Sequence, residues 1–142
     1  MAPDIGIDTA IVVFAAGLIL VLALILGVWK YREMLSSPTH LAHPYVDIAH
    51  RAALLYAFAT LLLAALVEFS AWPTWVNLVA AGVPIVFFVG AIITYMLHGW
   101  RRDTDNQFAH ASTSLRASTT ALIVGEIGGV VVLLIGFAVG QF

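Results

Sequence analysis

Four stretches of this chain are apolar over the length needed to cross a bilayer, and no other feature narrows its fold as much. A helix needs about 20 apolar residues to span the hydrocarbon core. Thr9 to Trp29 supplies 21 uncharged residues, and Trp75 to Met96 supplies 22, broken only by Asn77 near one end and Pro84 inside. Ala52 to Val67 is uncharged, and its helix is predicted to extend at both ends, over about 46–70. The last stretch, 117–139, carries a single charge, Glu126. Lipid offers the backbone no hydrogen bonds, so only helices and closed barrels cross it. The expected fold is therefore an all-α integral membrane protein, an antiparallel bundle of four transmembrane helices in one domain, with spans near 9–29, 46–70, 75–97 and 117–139. The charged fraction of 10% and the mean hydropathy of +1.02 belong to the same class.

The connections are short. Ser70-Ala-Trp-Pro-Thr74 is a tight turn, which makes the second and third helices an antiparallel hairpin. Loops of about 30–43 and 97–116 join the other pairs. All six basic residues, Lys30, Arg32, Arg51, Arg101, Arg102 and Arg116, lie in or beside those two loops. The positive-inside rule then puts both loops in the cytoplasm and both termini on the far side, as in a bacterial inner membrane. The start, Met1-Ala-Pro-Asp-Ile-Gly-Ile-Asp8, lacks the basic residues of a secretory signal, so the first apolar stretch is read as a retained helix.

Several chemistries are excluded. With no cysteine there are no disulfides, thiolate metal sites or cysteine nucleophiles. A net charge of −2 offers no basic surface for nucleic acid. The five histidines, His40, His43, His50, His98 and His110, all fall in or beside the two basic loops. If the second helix starts at Pro44, then Asp47, His50, Arg51 and Leu54 share a face, and Asp47 is expected to orient the His50 imidazole. His50, helped by His98, is the candidate for a cofactor or metal site at the cytoplasmic mouth. The other three histidines read as interfacial polar residues.

Glu126 is the second feature that composition does not explain. A carboxyl in a span costs at least about 2.5 kcal/mol on insertion scales, so it should face the bundle or a wet cavity. It reads equally as a proton donor or ligand-orienting group and as a structural partner for Thr94, Tyr56 or a histidine. Small residues recur at helical spacing (Ala49, Ala53, Ala57; Gly82, Gly90; Gly125, Gly129; Gly136, Gly140) and predict helix–helix seams. Such seams extend readily to a second subunit, so a homo-oligomer is expected. Arg101 to Gln107 reads as a solvated loop that fixes topology.

The stretch Ala49-His50-Arg-Ala-Ala-Leu-Leu-Tyr56 resembles the start of the second span in the small four-helix membrane enzymes that include hydroxylaminobenzene mutase and styrene oxide isomerase. In that group a histidine is followed six residues later by an asparagine, and here Tyr56 takes the second position. The resemblance implies haem b held by His50 and rearrangement of a small apolar ligand, an aromatic epoxide or hydroxylamine, that enters from the bilayer. Tyr56, Glu126 and Tyr95 would orient its oxygen, inside a pocket walled by Phe58, Phe87 and Phe88. Two other readings stay open: a non-catalytic subunit or assembly factor of a larger membrane complex, and a small proton-coupled transporter using Glu126.

Overall fold

A computed structural model describes residues 4–142; Met1-Ala-Pro3 of the acidic start lies outside the described residues. It contains four helices, α1 (Ile7–Ser36), α2 (Pro44–Glu68), α3 (Thr74–Arg101) and α4 (Thr113–Gln141). All four are long and apolar enough to cross a membrane, and no strand occurs among the described residues. The protein is thus a four-helix membrane bundle whose outer faces meet lipid.

Three helices run further than their apolar stretches. Lys30 to Ser36 and His98 to Arg101, expected to be loop, are the last turns of α1 and α3. Polar side chains are good helix formers once a span has nucleated the helix, and ion pairs hold these ends in place. The second span ends at Glu68 instead of near residue 70. Pro44 occupies the first turn of α2, where its missing N–H costs nothing, and His43 caps it by accepting from the Tyr45 N–H at 3.2 Å. Ser112 caps α4 by accepting from the Leu115 N–H at 3.1 Å.

The helices pack in chain order. α1 lies along α2, α2 along α3 and α3 along α4, while α1 and α4 do not pack on each other. Ala49 and Ala53 are fully buried and Ala57 nearly so, against Ala23, Leu26 and Ile92. Methyl side chains here let α2 approach α1 closely, which in lipid is the main source of helix association.

Between α3 and α4 the seam is built of glycine. Pro84 lacks the N–H that would bond the Ala80 carbonyl, and Gly129 rests against that carbonyl and the Pro84 ring. Gly125 sits on Phe87 and Val83, and Gly136 on Trp72 and Ser70. The α2–α3 turn is hydrogen-bonded onto α4: the Trp72 Nε1–H donates to the Val132 carbonyl at 2.8 Å and the Ala71 N–H to the Gly136 carbonyl at 3.0 Å. Gly82 and Gly90, expected at a seam, have open space where a Cβ would stand.

At the basic end Glu33 ties the loops to α1. Its carboxylate accepts from Arg102 Nη2 at 2.7 Å, from the His43 N–H at 2.8 Å and from Trp29 Nε1 at 3.1 Å. A Cβ at Gly129 would lie 2.7 Å from Pro84 Cδ, so Gly129→Val should destabilise the bundle by about 1–3 kcal/mol. Gly128→Ala, facing open space, should be close to neutral. Unfolding of both variants in mixed micelles, followed by far-UV circular dichroism, checks the contrast.

Candidate functional site

Past Gly125 toward the basic end, the side chains that separate α3 from α4 are larger, and a cavity of about 360 Å³ opens there. Its α4 wall is Leu115, Ser118, Thr119 and Leu122, an i, i+3, i+4, i+7 face. Its α3 wall runs from Phe87 to Tyr95, α2 contributes Tyr56, and Gln107 and Phe108 of the α3–α4 loop cover one end. The lining is largely apolar, with two phenols and a few hydroxyls among it, the composition of a site for a small apolar molecule.

Each phenol is held from behind. Tyr56 stacks on Phe88 with ring centroids 4.3 Å apart and planes 12° apart. Tyr95 packs against Tyr45 at 5.9 Å, and the Tyr45 hydroxyl accepts from the Gln107 N–H at 2.7 Å. That bond pins the covering loop to α2. Glu126 stands one turn beyond Leu122 on the same face of α4. Its Oε1 is buried without a partner. Tyr56 and Tyr95 thus meet at one cavity, with Glu126 one turn past its α4 wall.

A second cavity of about 400 Å³ adjoins the first and shares Thr94, Gln107 and Leu115 with it. His98, Asp103 and His110 line this vestibule. The His98 Nδ1 lies 2.7 Å from Asp103 Oδ1, and its ring packs on Tyr45 at 5.0 Å.

His50 lies elsewhere. Six residues along a helix is a rotation of about 120° from Tyr56, which turns His50 toward α1. Its Nδ1 is 2.9 Å from the Ala23 carbonyl oxygen. A carbonyl only accepts, so Nδ1 carries the hydrogen and the Nε2 lone pair is left free. Gly27 makes the room, since a Cβ there would lie 2.9 Å from His50 Cε1.

Asp47 does not orient this ring; it binds Lys30 and Arg51, each at 2.7 Å. Lys30 reaches the carboxylate across from α1 and Arg51 from the next turn of α2, and a cation is a stronger partner than an imidazole. Nor do His50 and His98 share a site, because one faces α1 and the other the vestibule. Phe58 is 64% exposed and so does not wall the pocket, while Phe87 lines it and Phe88 backs it. Among the described residues no three of His, Asp and Glu converge as a metal site. The Ser118–Thr119 lining and the Gln107 cover escaped the sequence reading, although the spacing of Leu115, Ser118, Thr119, Leu122 and Glu126 marks one helical face. No family model, curated protein or solved structure matches this chain.

The His98 ring beside Asp103 holds its carboxyl below the ordinary aspartate value of 3.8. A depressed carboxylate pKa stabilises the contact fully above that value and loses it as pH falls through the lowered pKa. The Asp103 ¹³Cγ resonance should therefore titrate below 3.8, and in His98→Ala it should return toward 3.8.

Proposed function

We propose that this chain is a membrane-embedded isomerase or mutase for a small apolar substrate with one reactive oxygen, such as an aromatic epoxide or hydroxylamine. One observation carries the reading: two phenols, Tyr56 of α2 and Tyr95 of α3, line one largely apolar cavity. The apolar wall holds the ring of such a substrate. The Tyr56 and Tyr95 hydroxyls donate to its oxygen and stabilise the charge that develops as the C–O or N–O bond breaks. Glu126, one turn past Leu122 at the cavity wall, would hold or return through a water the proton that shifts during the rearrangement. Nothing is added or lost in an intramolecular rearrangement, so no co-reactant has to enter.

The resemblance to hydroxylaminobenzene mutase and styrene oxide isomerase adds haem b. If haem is bound, His50 would hold it through Nε2, since its Nδ1 is turned to the Ala23 carbonyl. Bound there, haem would supply a Lewis-acidic iron. The cavity holds Tyr56 and Tyr95 but not His50, so the phenol chemistry stands independently of it.

By the positive-inside rule the two basic loops face the cytoplasm of a bacterial inner membrane and the vestibule opens to that side. Gly17, Gly82 and Gly128, with open space where a Cβ would stand, suit the close approach of a second copy in a homo-oligomer. They also suit the alternative of a subunit docked in a larger complex, which would co-purify with its partners.

Purified protein should convert an aryl epoxide or arylhydroxylamine to its isomer. Tyr56→Phe and Tyr95→Phe should each lower kcat/KM by about 10²-fold with the helical spectrum intact. No turnover of either substrate class by the wild-type protein, before or after adding hemin, would sink the isomerase reading. For the haem component, a Soret band in the wild type that His50→Ala removes is the expected spectrum. A wild-type protein that stays colourless with added hemin counts against it.

A further inference from the structure

A second polar cluster lies at the end of the bundle opposite the histidines. Asp8 in the first turn of α1, Thr9 beside it and Asn77 in the first turn of α3 are 7%, 6% and 3% exposed. Asp8 Oδ1 accepts from the Thr9 N–H at 3.1 Å and Oδ2 from Asn77 Nδ2 at 3.0 Å. The same amide nitrogen donates to the Trp72 carbonyl at 3.3 Å.

These donors are neutral. The six Lys and Arg residues all belong to the opposite end, and no ion pair reaches Asp8 among the described residues. A buried carboxylate asks for a positive partner. Two further oxygens in the cluster, Thr9 Oγ1 and Asn77 Oδ1, are buried with no hydrogen-bond partner at all. The N-termini of α1 and α3 favour the Asp8 charge, but they leave those two oxygens unserved.

We infer that Asp8, Thr9 and Asn77, with the Trp72 carbonyl, form a sodium site that clamps α1 to α3. Every available ligand is a hard oxygen: a carboxylate, a hydroxyl, an amide and a peptide carbonyl. That set suits alkali and alkaline-earth ions and not transition metals. With a single carboxylate, a monovalent ion neutralises the site, whereas calcium sites draw on several carboxylates and magnesium keeps its waters. A half-turn of the Asn77 amide exchanges its oxygen and nitrogen, so that with a cation present Oδ1 turns to the carboxylate side. The site lies at the other end of the bundle from the phenol cavity and does not depend on the isomerase reading.

The test is thermal unfolding of the full chain in lipid nanodiscs at constant ionic strength, with choline chloride replaced stepwise by NaCl or by KCl. A ligand bound only by the folded state raises the melting temperature as it saturates. NaCl should raise it by at least about 2 °C, saturably, with a smaller effect of KCl. Asp8→Asn should abolish the rise, and Thr9→Val, which keeps the shape and loses one ligand, should move its midpoint to about tenfold higher sodium. Identical melting in all three salts would mean that water alone fills the cluster and would overturn the proposal. Equal shifts in NaCl and KCl would overturn the sodium assignment.

Discussion

A peptide group in hydrocarbon has no water to bond to, so the four apolar stretches are committed to helix before any of them meets another. Between helices already solvated by lipid, apolar surface gives little net attraction, and association depends on how closely backbones approach. The small residues therefore set the architecture. Alanines at 49, 53 and 57 bring α2 against α1, and glycines at 125, 129 and 136 bring α4 against α3 and the α2–α3 turn. Pro84 takes part in the same seam: it frees the Ala80 carbonyl, and Gly129 is the residue that can lie against it.

The cavity follows from where that seam stops. At Gly125 and Gly129 there is no side chain to hold α3 and α4 apart. Nearer the basic end the facing residues are Leu115, Leu122, Tyr95 and Thr94, and the space they enclose is closed by Tyr56 behind and Gln107 above. The covering loop is held by the Tyr45 hydroxyl, and α1 holds Arg102 and His43 through Glu33. Packing at one end and ion pairs at the other thus fix the cavity between them.

The histidines show how far sequence proximity can mislead. The five fall in two stretches of the chain, yet His43 caps α2, His98 and His110 line the vestibule, His40 takes a left-handed turn and His50 faces α1. Asp47 shares a helical face with His50, but Lys30 from α1 and Arg51 one turn on reach it first. Tyr56 and Tyr95 are far apart in the chain and line one cavity only because α2 and α3 pack together. The face of α4 that carries Leu115, Ser118, Thr119 and Leu122 to the cavity is legible as a spacing, but which neighbour it meets is not.

What the amino-acid sequence determined is the number of helices, their approximate extents and the gathering of basic residues at one end. Each of these is local, since apolar length and backbone satisfaction in lipid decide them within a segment. Tertiary structure alone decided that α1 and α4 stay apart, that the glycine seam gives way to a cavity, and that His50 lies outside it. It also brought Asp8 to Asn77 across two helices. These are properties of rotation and approach between helices, and neither is written in the composition of any one of them.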